Sequence, residues 1–305
     1  MRFKIALCQM LVSPIKEKNI SHARSLIRGA AQKGAKLVVL PEMWCCPYSM
    51  KSLRDHAEDI DAQSAPSVSM LSEAASHHKI TIIGGSIPEM SGDKLFNTCC
   101  VLGPDGEIIA KHRKLHLFDA DLPGDLNFRE SDTFAYGDGP TVVDTDVGRI
   151  GIGICHDNRF PELAILYRSR GAHLICYPGA FNMSTGELLW ELMLKSRAVD
   201  NQVLYMRIVT IRYYMMSLEK FVVLVQLFVA ACSPARDPDV NSDYMTWGHS
   251  SLVGPFGEII ATTGHEEDVV IGEIDYSIVQ TVRENLPLES QKRGDIYQVI
   301  DTNRK

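Results

Sequence analysis

Residues 37–41 read Leu-Val-Val-Leu-Pro, and Glu42 follows directly. A short apolar, β-branched run closed by a turn residue reads as a strand buried on both faces. Upstream, Lys4–Met10 is a second strand, and Asn19–Lys33 places Ala23, Leu26, Ile27 and Ala30 on one helical face. Downstream, Ser67–His77 reads as a helix and Lys79–Gly84 as the next strand. Strands alternating with helices predict an α/β or mixed layered fold. With no Pro/Ser linker or composition break, residues 1–305 read as a single domain.

Two echoes extend this reading. Leu174–Pro178 (LICYP) resembles Leu37–Pro41, and Val101–Ala110 (VLGPDGEIIA) matches Leu252–Ala261 (LVGPFGEIIA) almost letter for letter. Each of the longer pair is a β-hairpin around a Gly-Pro-x-Gly turn. Hairpins recur in any protein, but paired echoes also fit two similar halves, each a sheet covered by helices, packed sheet on sheet.

Composition sets the class. Of 305 residues, 45% are apolar and 23% charged, as in a globular protein with a real core. The formal charge of −7 without a basic block lacks the footprint of a nucleic-acid binder. The longest membrane-like run, Phe221–Cys232, is too short and holds Gln226, since a span needs about 20 apolar residues. Eight cysteines form no C-x-x-C, and most sit in apolar runs as buried thiols, which points to a reducing, cytoplasmic compartment. The first residues already read as a strand, so no signal or transit segment is expected. One segment does not fit: about 206–228 is strand-like at both ends with a polar centre at Ser217–Lys220, and a hairpin and a buried helix explain it equally.

Four residues can carry chemistry. Cys155 follows the strand Arg149–Ile154, and a helix with Pro161 in its first turn follows it. A thiol at such a turn is expected to be exposed at the sheet edge, near helix-end dipoles that favour a thiolate, although one more buried thiol is the plainer reading. Adjacent side chains in extended chain point to opposite faces, so His156 is not its base. Glu42, at another strand end, is the alternative base, although taken alone it is an ordinary loop glutamate. Lys114 precedes a strand-like Leu-His-Leu-Phe and is expected to point inward as a fixed cation beside a developing oxyanion rather than lie in a solvated basic turn. Glu130 is a fitting anionic partner for a buried lysine.

PEMW at 41–44, HRKLHLFDADLPG at 112–124, FRES at 128–131, GICHDNRFPELA at 153–164, YPGAFNMSTG at 177–186, SRAVDNQ at 196–202, SPARD at 233–237 and WGHSSLVGPFGEII at 247–260 resemble the nitrilase (carbon–nitrogen hydrolase) superfamily, omega-amidase-like branch. The resemblance implies a four-layer α-β-β-α sandwich, a Glu-Lys-Cys site without metal or cofactor, and a homodimer or higher homo-oligomer. It makes Cys155 the nucleophile, Glu42 the general base, Lys114 the oxyanion-stabilising lysine and Glu130 the second glutamate, with the His156 N–H completing the oxyanion hole. It further implies that Arg159 takes the distal carboxylate of a small keto-dicarboxylic acid monoamide, in a pocket lined by Tyr48, Phe181 and Thr185. The product is acid and ammonia, by way of a cysteine thioester.

The chain departs from that pattern at His156, where an aromatic is usual, at Asn158, and in Ser184–Trp190, which lacks the usual Pro and His. The largest departure is the insertion at about 206–228, between NQ and SPARD. Three alternatives follow: an inactive or misfolding-prone relative, a hydrolase of another small amide, nitrile or carbamoyl compound, and a metal-dependent phosphoesterase on a related sandwich. The ten histidines show no metal-binding spacing that favours the last.

Overall fold

A computed structural model describes residues 1–50, 52–62, 65–122, 126–199, 227–237, 244–285 and 288–302. In the first half, β1 (Arg2–Gln9), α1 (Lys16–Gln32), β2 (Ala35–Val39), α2 (Pro66–His78), β3 (Thr81–Ile83), β4 (Ile87–Ser91), β5 (Lys94–Leu102) and β6 (Ile108–Arg113) follow in order. A short ribbon of β7 (Asp119–Leu122) and β8 (Leu126–Arg129) leads to the second half. That half comprises β9 (Thr141–Thr145), β10 (Gly148–Ile152), α3 (Pro161–Ser169), β11 (Leu174–Pro178), α4 (Met183–Val199), β12 (Phe228–Cys232), β13 (Ser251–Val253) and β14 (Ile259–Thr262). The chain then returns through β15 (Asp268–Asp275) to α5 (Tyr276–Asn285).

Among the described residues the strands form two main sheets. One runs β15-β1-β2-β3-β5-β4 with β6 on β5, and the other runs β14-β13-β12-β11-β10-β9. Alternation along β1 and β2 explains the layering. Phe3, Ile5, Leu7, Leu37 and Val39 share one core with Ile150, Ile152, Ile175 and Val229 of the second sheet. Ala6, Cys8 and Val38, on the opposite face, pack against Ala23, Ile27 and Ala30 of α1 and Leu71 and Ala75 of α2. Leu163 and Tyr167 of α3, with Trp190 and Leu194 of α4, bury against the second sheet. The result is the four-layer α-β-β-α sandwich.

The echoes correspond to equivalent places. β2 lies parallel between β1 and β3, and β11 lies parallel between β10 and β12. The hairpins match in register and irregularity: Val101↔Ala110 and Leu102↔Ile108 across a bulge, Leu252↔Ala261 and Val253↔Ile259 across another. Gly106 and Gly257 close the two turns at φ +91° and +72°, which only glycine adopts without strain.

Several boundaries move. The first helix begins at Lys16, three residues before the expected Asn19, and the second spans Pro66–His78. Lys79 is not strand but a left-handed C-cap at φ +54°, so β3 begins only at Thr81. The run 115–118 after Lys114 is not a strand; the strand lies before it, in β6. Of the segment at about 206–228, residues up to 226 lie outside the described ones. Its expected end needs correcting, because Phe228 is the first residue of β12, fully paired with β11 through Leu174↔Phe228 and buried beside Leu227.

Candidate active site

Three strand ends converge. Glu42 follows β2, Lys114 follows β6 and Cys155 follows β10, at the carboxyl edges where open α/β sheets hold ligands. The backbone is shaped there. Met43, next to Glu42, has φ +50° and Cys155 itself φ +46°, left-handed conformations that non-glycine residues adopt mainly where surrounding structure imposes them. Cys155 opens a 3-10 turn, Cys155–Arg159, directly ahead of α3. In that turn it is buried, at 7% exposure, instead of exposed at a sheet edge.

Lys114, fully buried, anchors the cluster. Its backbone is gripped on both sides, its N–H donating to Asn97 O at 2.9 Å and its carbonyl accepting from Gly137 N–H at 2.9 Å. Its Nζ donates to Glu42 Oε1 at 3.0 Å and to Glu130 Oε1 at 2.8 Å. Burial alone would lower the ammonium's pKa, but the Glu130 and Glu42 carboxylates outweigh it and hold the pKa well above the ordinary value. Glu42 Oε1 also accepts from Asn97 Nδ2 at 2.8 Å and from the Tyr48 hydroxyl at 3.2 Å. Glu42 Oε2 is buried and has no hydrogen-bond partner among the described residues. Glu130 receives the Tyr48 hydroxyl on Oε1 and the Phe118 N–H on Oε2 at 2.7 Å. Burial raises the Glu130 carboxyl above its ordinary value against the pull of Lys114.

The Cys155 thiol stands well above the ordinary thiol pKa. Burial is the main cause and Glu42 adds to it, while Lys114 and a hydrogen bond from the Ala180 backbone act the other way. These influences together favour the neutral thiol over the thiolate expected from helix-end dipoles. His156 makes no hydrogen bond to Cys155 among the described residues. Its backbone N–H, in the first turn of a short helix, has no acceptor among the described residues and is free for a ligand oxygen.

A cavity of about 20 Å³ touches the thiol, lined by Phe118, Cys155, His156, Arg159, Phe181, Thr185 and Tyr244. That brings four of the five expected pocket residues together. Tyr48, the fifth, stands behind them on Glu42 and Glu130, with its ring 5.2 Å from that of Tyr244. Phe181 packs edge-on against Trp190 at 5.2 Å, and Thr185 is held by Asn182, its N–H donating to Oδ1 at 2.9 Å. Arg159 is exposed at the rim and has no ion-pair partner among the described residues. The arrangement can deprotonate a thiol, stabilise an oxyanion and offer a cation to a distal anion.

Sequence reading missed Asn97, Phe118 and Tyr244. Phe118 lies inside the quoted HRKLHLFDADLPG run, whereas nothing local marks Asn97 or Tyr244. Among the described residues no three His, Cys, Asp or Glu side chains group to hold a metal ion, all eight cysteines are free and buried, and no helix is long and apolar enough to cross a membrane.

Residues 4–284 match the family model of the carbon-nitrogen hydrolases. The chain is 56% identical over 305 residues to the chloroplastic omega-amidase of Arabidopsis thaliana, covering 99% of this chain and 76% of that protein. It is 45% identical over 298 residues to omega-amidase NIT2 of Xenopus tropicalis, covering 98% of each. Among solved structures, Saccharomyces cerevisiae Nit3, a member of branch 10 of the nitrilase superfamily, aligns at TM-score 0.81 and 38% identity over 96% of this chain and 97% of that one.

Proposed function

The chain belongs to the carbon-nitrogen hydrolase family, and on that premise we propose that it is an omega-amidase-type enzyme, hydrolysing the terminal amide of a small dicarboxylic or keto-dicarboxylic acid monoamide to acid and ammonia. The observation that carries the mechanism is the division of labour on Glu42: Lys114 and Asn97 donate to Oε1, which the Tyr48 hydroxyl also approaches, and Oε2 is buried without a partner among the described residues. That oxygen is the base. It takes the Cys155 proton as the sulfur attacks the amide carbon. Lys114 and the His156 N–H stabilise the tetrahedral oxyanion. The proton then passes from Glu42 to the leaving nitrogen, ammonia departs, and an acyl thioester remains on Cys155. Glu42 next deprotonates an entering water, whose oxygen attacks the thioester; the acid leaves and the thiol regains its proton.

Glu130 keeps Lys114 charged and in place, Tyr48 braces both glutamates, and Arg159 meets the distal carboxylate as a guanidinium suited to bidentate pairing. Phe181, Thr185, Phe118 and Tyr244 shape the remainder of the pocket. No metal or cofactor enters this scheme. The same proposal includes a homodimer or higher homo-oligomer, and a cytoplasmic, reducing compartment that suits eight free buried thiols. An inactive relative is the less favoured reading, because cysteine, lysine and both glutamates meet in one buried site.

The test is ammonia release across linear monoamides of dicarboxylic acids, neutral amides, nitriles and carbamoyl compounds, with intact-protein mass measured during turnover. The expected result is preference for the acidic monoamides and an acyl adduct that disappears in Cys155→Ser. Wild-type turnover by Cys155→Ser would overturn the mechanism, and preference for nitriles or carbamoyl compounds would overturn the substrate class.

A further inference from the structure

Two histidines flank Lys114, each two residues away, and both turn to the same carboxylate. His112, fully buried, donates from Nε2 to Asp157 Oδ2 at 3.1 Å. His116 donates from Nδ1 to Asp157 Oδ1 at 2.7 Å and from its backbone N–H to the same oxygen at 3.0 Å. Asp157 lies two residues after Cys155, and its Oδ2 also accepts the N–H of Ile154 at 2.9 Å. One carboxylate without solvent exposure therefore takes three donors from the lysine segment and one from the residue before the cysteine.

The set is closed chemically. The Thr141 hydroxyl lies 3.1 Å from His112 Nδ1, so both ring nitrogens are engaged. The Phe160 ring stacks on His116 at 3.7 Å and meets His156 edge-on at 5.5 Å, extending the contact to the cavity wall. Burial opposes ionisation of Asp157, but the hydrogen bonds from His112 and His116 hold its carboxyl well below the usual range, so all four acceptor contacts persist at neutral pH.

Lys114 and Cys155 come from different sheets, so no single element fixes their separation. Catalytic geometry must hold within about 0.5 Å, and misplacement of about 1 Å can cost about 10²-fold in rate. We infer that Asp157, acting through His112 and His116, is a positioning residue that clamps the lysine-bearing segment to the cysteine-bearing turn during amide hydrolysis. The inference rests on the reaction proposed above.

The test measures kcat and KM per titratable Cys155 thiol in Asp157→Asn, in His116→Phe, which keeps a ring on Phe160 but loses the side-chain donor, and in His112→Gln, whose amide can replace the Nε2 donor to Asp157. Asp157→Asn is expected to lower kcat by about 10–100-fold and His116→Phe by about 10-fold, each moving KM by less than about threefold. His112→Gln should stay within about threefold of wild type. In a Lys114→Ala background, Asp157→Asn should add less than about threefold, because residues acting as one unit are not additive. Should Asp157→Asn fail to fold, His116→Phe carries the test, since that ring is 31% exposed and tolerates change. Unchanged kcat per thiol in the folded variants, or a full further loss without Lys114, would overturn the inference. If Cys155→Ser abolishes turnover while these variants keep wild-type kcat, only the clamp fails; if Cys155→Ser remains active, the reaction itself was misread.

Discussion

Lys114 Nζ sits 3.0 Å from Oε1 of Glu42, on the same oxygen that Asn97 and Tyr48 contact, so the ion pair leaves the other oxygen of that carboxylate uncommitted. A lysine is usually thought to quench a neighbouring base. Here it orients the carboxylate and spares the oxygen that has to work.

Glu42→Gln tests that division. The donors from Lys114 and Asn97 require the amide oxygen at Oε1, which puts an NH₂ where the base oxygen stood. Packing survives, but the thiol then faces a donor. The expected loss in kcat is about 10²–10⁴-fold, the usual range for a general base, with the thermal midpoint close to wild type. Steady-state ammonia release checks it, and a loss below tenfold would count against Glu42.

Lys114→Ala should damage both chemistry and folding. Removing an oxyanion donor typically costs about 10²–10³ in kcat, with KM little changed. Glu42 and Glu130, both buried, would also lose their counter-ion, and breaking a buried pair typically costs about 3–5 kcal/mol. Kinetics and urea unfolding separate the two effects. A change confined to KM would make Lys114 a substrate-binding residue.

Arg159→Ala should lower kcat/KM for acidic monoamides by about 10–100-fold, since a hydrogen bond to a charged group is worth about 1.5–3 kcal/mol. Neutral amides of the same length should change by less than about threefold. The prediction follows from a guanidinium at the cavity rim without a partner of its own among the described residues. Equal losses on both substrates would give Arg159 a structural role.

Legibility followed the range of the interactions. The strands LVVLP and LICYP and the two Gly-Pro-x-Gly hairpins are set by local period and turn chemistry and were readable, whereas the bulge the hairpins share was not. Helix α1 starts before its apolar face because Lys16 and Glu17 in its first turn lie outside the hydrophobic pattern. Cys155 looked exposed because a strand-to-helix turn usually is; segments distant in sequence, Phe118 and Tyr244 among them, close around it. Asp157 could not be read at all, since its partners lie 41 and 45 residues away and are brought to it by the meeting of two sheets.

The pH dependence of stability should carry a His156 signature. Burial, helped by Lys114 and Arg159, lowers its pKa from 6.5 to about 4. As pH falls from neutrality, the unfolded chain protonates at this position before the folded one does. Stability is therefore full above about pH 6.5 and declines as pH drops toward about 4. His156→Phe, placed among Phe118 and Phe160, should shrink the fall in thermal midpoint between pH 7 and pH 5. The carboxyl of Asp157 titrates lower still and does not fill this window. An unchanged difference between the two pH values would refute the assignment.

The segment at about 206–228 is the sharpest test of the sequence reading. Leu227 and Phe228 are buried at the start of β12, and the strand is complete from Phe228 to Cys232. Deleting 206–228 joins Tyr205 to Val229, so Leu204-Tyr205 would stand where Leu227-Phe228 stand now, a leucine and an aromatic in the same order. The link from the end of α4 at Val199 would shrink to residues 200–204, within the ordinary two to six residues of an α-to-β connection. The deletion also removes Ile208, Val209, Ile211 and Phe221–Val225, an apolar load of the kind that promotes association when it finds no core. We therefore expect the shortened chain to give more soluble protein, a higher thermal midpoint and at least equal ammonia release per Cys155 thiol. Expression of both chains side by side decides it. If the full-length chain equals or surpasses the deletion on these measures, the segment is an integral element of this enzyme and not an interruption.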